Sequence, residues 1–337
     1  MRGLILILFF VVFCGCESAL DLDIPGGYDS QLVIQSHFTP DSLWEFRVGK
    51  SAPVRGTIDP NELIVPDAKI VIFGEDRFRE TLHYVGHGIY QTAQGQRPIR
   101  GISYTVQVSA TGFPQAEASS WAPPLKSKLL EVKRTAKHDS LGTEDYELRF
   151  ELEDQPGSNY YRMALHQVVP LCEREGWGIF VEDVPGNVID YWRLVFQSNS
   201  TSFRDYIETV DDPTIPYQDD DFWGPYFSDK LFEATTKEFK ITFEATIFES
   251  IHPHFSLVLS SLSEDMFVFE RSIVLHDLFL AAPSIAQSNP AVVHTNVVNG
   301  LGIFAGYTND TYRFDAAGEE WQEDVLGIGI GEIQSCK

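Results

Sequence analysis

Basic residues are scarce in this chain: 25 Lys and Arg stand against 49 Asp and Glu, giving a formal net charge of −24 at pH 7. A chain with this charge repels phosphate backbones, which argues against nucleic acid as a partner. It is also repelled by anionic membrane surfaces. Any contact with a membrane would therefore depend on a covalent lipid anchor.

The sequence also lacks the motifs by which common enzymes are recognised. It contains no His-Glu-x-x-His, no Gly-x-Ser-x-Gly, no phosphate-binding loop and no dinucleotide fingerprint. His83 and His87 stand beside glycines, and His252 and His254 flank a proline, so both pairs predict turns rather than zinc sites. We expect no enzymatic activity, no metal and no cofactor. A glycan or peptide hydrolase stays as the alternative, because two carboxylates suffice for glycoside hydrolysis.

Cysteine is rare, with four residues in 337. Cys172 and Cys336 lie far apart in the sequence, and a disulfide needs their Cα atoms within about 7 Å. Two alternatives stay open: a disulfide between them, or two separate thiols.

The chain has one long apolar run, Leu4 to Phe13, which is too short to span a bilayer as a helix. Gly15-Cys16 follows it and resembles a bacterial lipobox, in which the cysteine is lipidated and the peptide before it is removed. We therefore expect residues 1–15 to be a signal peptide and Cys16 to carry acyl chains such as palmitate. An ordinary secretory signal is the alternative. Residues 16–27 predict an acidic tether that ends in Pro-Gly-Gly.

The remaining chain is dominated by short segments of alternating apolar and polar residues, which predict a mainly β protein. Regularly spaced strands between residues 28 and 124 predict an antiparallel β-sandwich, which ends where Pro123-Pro124 cannot continue a ladder. Residues 125–337 predict a second β-rich, sandwich-like domain. Within it, residues 263–277 favour a short helix capped by Ser263, with Met266, Phe267, Phe269 and Ile273 on one side.

An acidic, proline-rich segment at residues 210–229 fits neither periodicity and predicts a long irregular loop. Acids and large aromatics coincide there, so we expect it to contact a partner or ligand. The candidate residues are Asp219, Asp220, Asp221, Phe222, Trp223 and Tyr226. A solvated loop with its aromatics folded onto the core, or a calcium site, are the alternatives.

Several segments resemble one family. Residues 292–307, VVHTNVVNGLGIFAGY, resemble the signature of DUF4249, a family of Bacteroidetes lipoproteins without an assigned biochemical function. Shorter matches occur at residues 88–90, 101–104, 226–232 and 262–265. Physically, Asn299-Gly300 predicts a turn, and Gly302 and Gly306 predict close backbone approach or a bulge. A ligand loop built from Asn296 and Asn299 is the alternative interpretation.

The resemblance carries functional expectations. The first unit is similar to transthyretin-like and carboxypeptidase-regulatory-like sandwiches. Members of the family are often encoded beside TonB-dependent outer-membrane receptors, which implies an outer-membrane β-barrel as partner. We therefore expect an outer-membrane-anchored accessory or binding subunit, on the cell surface rather than the periplasmic face. A free-standing surface adhesin is a further alternative.

Overall fold

A computed structural model gives the fold. It describes residues 28–53, 58–93, 95–138, 142–171, 188–194, 196–198, 226–232, 235–247, 253–281 and 292–320. Three expectations concern positions outside these residues. They are the lipidation of Cys16, the pairing of Cys172 with Cys336, and contacts through Asp219, Asp220, Asp221, Phe222 and Trp223. These expectations therefore stay predictions.

Eight strands build a first sandwich. They are β1 (Leu32–Phe38), β2 (Glu45–Lys50), β3 (Lys69–Gly74), β4 (Arg79–Thr81), β5 (His83–Gly86), β6 (Ile89–Gln91), β7 (Ser103–Ser109) and β8 (Ala116–Trp121), with a 3-10 turn at Pro60–Leu63. Strands β1-β2-β6-β5 face a second sheet of order β4-β3-β7-β8. Strict alternation in β7 turns Tyr104, Val106 and Val108 inward, where they meet Trp44 and Phe46. This period of two predicts the strand correctly.

Nine strands and one α-helix follow among the described residues. They are β9 (Ser127–His138), β10 (Thr143–Glu153), β11 (Tyr160–Leu171), β12 (Val188–Arg193), β13 (Phe196–Ser198), β14 (Tyr226–Ser228), β15 (Thr236–Thr246), β16 (His254–Leu262), α1 (Glu264–Ala281) and β17 (Leu301–Asp315), with a 3-10 turn at Asp229–Leu231. A four-stranded sheet, β13-β15-β10-β9, packs on β11, β16 and the far half of β17 to form a second sandwich. Its core is rich in aromatic side chains from facing strands, including Tyr146, Phe150, Phe239 and Phe255. The mainly β, sandwich-like fold class is confirmed.

Strand β17 belongs to both sandwiches. Its residues 301–306 pair in parallel with β1, and its residues 307–315 pair antiparallel with β16. The result is one nine-stranded sheet with the path β12-β11-β16-β17-β1-β2-β6-β5, in which β14 also pairs with β11. Phe304 is fully buried in the first core and Phe314 in the second.

This strand changes the expected division of the chain. The sequence predicts units of residues 28–124 and 125–337, and the chain does leave the first sandwich after β8, near that boundary. The first sandwich nevertheless needs the distant C-terminal segment, because Val297 and Phe304 fill its core. A purely sequential division is wrong in this respect, since alternation along a strand cannot reveal which core it enters.

Helix α1 runs four residues beyond the predicted end of the helix, and its predicted start is confirmed. The Met266 amide donates to Ser263 Oγ at 3.3 Å, as expected of an N-cap. The side chains of Met266, Phe267 and Phe269 are buried on the inner face of the helix, whereas the Ile273 side chain lies at the exposed margin of that face.

The predicted loop at residues 210–229 is corrected at its C-terminal end, because Tyr226–Ser228 form β14. Asp229 is buried there, and its Oδ2 accepts hydrogen bonds from the backbone amide and side chain of Asn159 at 2.8 and 3.0 Å.

Candidate functional site

Buried charged and aromatic side chains come together beneath α1, where the two sandwiches meet. The helix packs Met266, Phe267 and Phe269 on the outer face of the shared sheet. There they contact Ile303 and Ala305, which alternate with the inward-facing Phe304 of β17. One strand therefore supplies side chains to the first core, the second core and the helix interface. We call four polar residues at this helix, the buried Arg162, Glu270 and Tyr226 and the half-buried Tyr307, the junction cluster.

An ion pair forms the centre of the junction cluster. Arg162 on β11 points outward, since its neighbours Tyr161 and Met163 fill the second core. Its Nη1 donates to Glu270 Oε1 of α1 at 2.7 Å, and both side chains are below 10% exposed, at 9% and 8%. Charge-assisted contacts of this length are strong, but two charges also lose their hydration when they are buried. The pair therefore fixes the helix to the sheet in one position.

Two tyrosines surround this pair. The guanidinium carbon of Arg162 lies 5.9 Å from the centre of the Tyr307 ring, at cation-π distance. Tyr226 presents its hydroxyl to the same pocket, where burial and the negative charge of Glu270 raise its pKa far above 10. Burial also raises the pKa of Glu270 above 4.5, and the nearby charge of Arg162 opposes this rise. Loss of hydration on burial is the largest cause of both raised pKa values.

His37 marks the exposed side of the junction. It lies on β1 opposite Ala305, and its ring meets Phe269 edge-on at 5.6 Å. Partial loss of hydration and the positive charge of Arg162 lower the pKa of His37 below 6.5. The imidazole is therefore neutral at physiological pH.

The segment before β17 is tied to the start of α1. Asn296 Nδ2 donates to the Phe304 carbonyl at 2.8 Å and to Asp265 Oδ2 at 3.1 Å, while the Phe304 amide donates to Asn296 Oδ1 at 3.0 Å. His294 Nε2 lies 3.1 Å from the other oxygen of Asp265. The amide of Asn296 is thus occupied by the fold, which supports the structural interpretation of this segment over a ligand loop.

Two glycines in β17 allow the backbone to approach closely, and the turn before the strand contains a positive φ. Asn299 has a φ of 59°, as the predicted Asn-Gly turn requires. Gly302 has a φ of 102°, and a Cβ there would lie 2.0 Å from the Ile34 carbonyl oxygen. A Cβ on Gly306 would lie 2.2 Å from the Trp121 carbonyl oxygen. Close approach at both glycines is therefore confirmed.

These residues belong to a segment that a family model also covers. The model for DUF4249, a domain of unknown function, matches residues 17–313. The chain belongs to the DUF4249 family. The match includes β1 to β16, α1 and most of β17, so the family model covers nearly all of the described fold.

Comparisons beyond this family add little for the DUF4249 chain. No curated protein matches it. The C-terminal domain of the Streptococcus agalactiae AgI/II polypeptide BspA is 8% identical and covers 70% of this chain and 95% of its own. Its TM-score of 0.17 carries no argument about fold or function. Among the described residues, no helix is long and apolar enough to cross a membrane.

One predicted contact residue of this DUF4249 protein is corrected. Tyr226 is only 9% exposed and packs against Phe267 beneath α1, with ring centres 6.0 Å apart. It cannot act as a surface anchor, because β14 places it in the sheet. Arg162 and Glu270 were not predicted as site residues from the sequence. The available signals were a lone Arg in the apolar strand YYRMALHQVV and a Glu among the aromatic residues of a helix.

The junction cluster of this DUF4249 protein is built to hold elements together. Arg162 is neutralised by Glu270, and Asp265 is engaged by Asn296 and His294. The described part of the chain contains no group of three or more His, Cys, Asp or Glu side chains able to hold a metal. Chemically, the cluster fixes the relative positions of α1, β11 and β17.

Proposed function

We propose that this protein is a lipid-anchored accessory or binding subunit of an outer-membrane β-barrel protein, with a TonB-dependent receptor as the partner class. The observation that carries the proposal is the apolar run ending at Gly15-Cys16, after which the family match begins at residue 17. A match that starts directly after the lipidation candidate fits a mature chain that begins there. The partner class comes from the family resemblance.

The described fold supports a binding role over catalysis. Its buried charges Arg162 and Glu270 pair with each other, and the half-buried Asp265 accepts a hydrogen bond from Asn296. Its two sandwiches share β17, which joins them into one scaffold. Surface loops on a rigid β-scaffold commonly carry recognition.

We place the protein on the cell surface rather than on the periplasmic face of the outer membrane. Glu17, Asp21 and Asp23 follow the candidate lipidation site. Acidic residues in this place resemble the export signals of Bacteroidetes surface lipoproteins. Protease treatment of intact cells tests this placement: degradation without cell lysis supports it, and full protection contradicts it.

The anchor is tested by substituting each signal-region cysteine separately. Cys16→Ala should abolish incorporation of labelled palmitate and release the protein from the membrane fraction, or block its processing. Cys14→Ala is the matched control, because Cys14 is expected to leave with the signal peptide. A processed Cys16→Ala protein that stays in the membrane would overturn the lipid anchor.

The partner is tested by cross-linking intact cells, followed by purification through this protein. We expect one co-purifying protein whose electrophoretic mobility shifts on boiling, as β-barrels do when they unfold. The Cys16→Ala protein is the control for contacts made without the anchor. Recovery of the anchored protein without any barrel would favour a free-standing adhesin or a hydrolase instead.

A further inference from the structure

The first and last strands of the described fold are direct neighbours and run in the same direction. Strand β1 pairs in parallel with residues 301–306 of β17 through six register pairs, from Val33 with Leu301 to Phe38 with Gly306. The end of β17 at residue 315 lies about 45 Å further along the same axis. Tension between the two ends of the chain therefore pulls these strands in opposite directions along their length.

The direction of this pull decides how the ladder resists it. The hydrogen bonds of a ladder run between the strands rather than along them. A force along the strands therefore loads all six register pairs together. A force across the strands at one end loads the first pair alone, and the pairs then open one after another. The arrangement of β1 and β17 is of the first, stronger kind.

Buried side chains resist sliding of these strands as well. Ile34 and Phe38 of β1 are buried in the first core. The Phe38 ring lies with its centre 4.9 Å from that of Trp44, 5.9 Å from that of Tyr104 and 4.7 Å from that of Phe304. Because Phe304 belongs to β17, movement of one strand past the other removes this contact. Sliding must therefore expose apolar side chains and break the ladder in the same step.

Force from each end of the chain reaches these two strands directly. On the N-terminal side, β1 begins four residues after Tyr28, the first described residue. On the C-terminal side the chain turns back after β17, where Glu320 bridges Phe314 and the Asp315 amide donates to the Glu319 carbonyl at 2.9 Å. These contacts are loaded one after another, so they open first and pass the force to β17.

We propose that β1 and residues 301–306 of β17 form a mechanical clamp, which carries tension between the ends of the chain while both sandwiches stay folded. Residues 39–300, which contain α1 and strands β2 to β16, lie outside this path. The inference concerns the fold and goes beyond the proposed function. An anchor at Cys16 and a partner bound to the second sandwich would load the same two strands.

Single-molecule force spectroscopy tests the clamp without relying on native lipidation. Residues 17–337 are fused at both ends to marker domains and stretched under reducing conditions, so that no disulfide between Cys172 and Cys336 shortens the chain. We expect no lengthening of residues 39–300 before the highest force peak, and their release then adds about 90 nm of chain. Two sandwiches loaded in series would instead lengthen in two comparable steps, which would refute the clamp.

A second pulling geometry separates the direction of the force from overall stability. Pro53 is exposed and follows β2, whose last residue, Lys50, lies beside Leu32 of β1. In a chain with Cys172→Ser and Cys336→Ser, a handle on Pro53→Cys and the N-terminal handle pull at the same end of β1 and β2. Their pairs then open one at a time. We expect rupture at a severalfold lower force than in end-to-end stretching of the same chain, and equal forces would overturn the proposal.

Matched substitutions test which strand resists the force. Ile34→Val and Ile241→Val each remove one methyl group from a fully buried side chain, on β1 in the first core and on β15 in the second. Ile34→Val should lower the highest force peak, because β1 leaves its place in the core at rupture, whereas Ile241→Val should leave the peak unchanged. Circular dichroism establishes that each variant is folded. The reverse result, or an unchanged peak with Ile34→Val, would contradict the clamp.

The clamp and the proposed function fail separately. A Cys16→Ala protein that stays in the membrane, together with the expected stretching result, would remove the lipid anchor and leave the clamp standing. Sandwiches that lengthen in series in a protein whose anchor is established would remove the clamp alone.

Discussion

Arg162→Met should separate the charge of the junction cluster from its packing. Methionine keeps the apolar stem of the arginine but leaves the Glu270 carboxylate without its partner 2.7 Å away. Both side chains are buried beneath α1. The variant therefore creates an unpaired buried charge in the site that joins the helix to the shared sheet.

The size of the effect follows from this burial. Removing one partner of a buried ion pair costs about 3–5 kcal/mol in the free energy of unfolding. Replacing both partners with apolar residues is often neutral or stabilising. We therefore expect Arg162→Met to be strongly destabilising, and Arg162→Met with Glu270→Leu to recover most of the lost stability.

The pH dependence gives an independent signature. Burial already raises the pKa of Glu270 above 4.5, and Arg162 opposes that rise. A raised carboxyl pKa means that the folded state binds more protons than the unfolded state, so this contribution to stability is full below pH 4.5 and is lost as pH rises through the folded-state pKa. Without Arg162 the pKa rises further. The penalty of Arg162→Met should therefore be larger at pH 8 than at pH 5.

Urea unfolding at these two pH values measures the effect, with fluorescence and circular dichroism as probes. The double variant is the internal control for packing. A midpoint for Arg162→Met equal to that of the native protein at pH 8, or a penalty independent of pH, would refute the buried-charge reasoning. A double variant as unstable as the single one would show that packing, rather than charge, explains the loss.

Three further substitutions probe the segments that position β17. Gly302→Ala should lower the free energy of unfolding by more than about 3 kcal/mol, because backbone strain and a steric clash add together. Gly157→Ala is the control, since Gly157 has the same φ of 102° but an added Cβ would meet no atom within 4 Å. The difference between the effects of the two substitutions on the urea midpoint then measures the clash. Asn296→Ala should cost about 1–3 kcal/mol, because it leaves backbone groups of β17 unsatisfied. A thermal midpoint equal to that of the native protein would contradict this role of the Asn296 side chain. Ser263→Ala should cost about 1 kcal/mol through loss of the cap to Met266, with hydrogen exchange rising mainly in the first turn of α1.

Much of the fold was predictable because local patterns determine it. Alternation predicts strands at residues 104–108, 146–152 and 239–248, which correspond to β7, β10 and β15 with bounds that differ by up to three residues, and Ser263 predicts the start of α1. Strand β8, with the sequence AEASSW, was missed because its buried residues are small and give little hydrophobic contrast. The small side chains still alternate correctly between buried and exposed positions.

The pairing of β1 with β17 was not predictable from local pattern. About 270 residues separate these strands, and alternation shows which side chains share a face but not which strand lies beside them. The buried contact between Arg162 and Glu270 depends on the same long-range arrangement. Conversely, Tyr226 looked exposed only because its neighbours are polar and proline-rich.

The position of β1 in the sheet also bears on how an anchored protein would be held. Its hydrogen bonds run to β2 on one side and to β17 on the other, so the strand closest to the proposed anchor is a central strand rather than an edge. A load applied at Cys16 would reach β1 first and would then act on the ladder with β17, which continues into the second sandwich. The same strand is held by close backbone contacts at Gly302 and Gly306 and by the side-chain hydrogen bond of Asn296 to Phe304. The family signature therefore lies where the proposed anchor would be mechanically joined to the second sandwich.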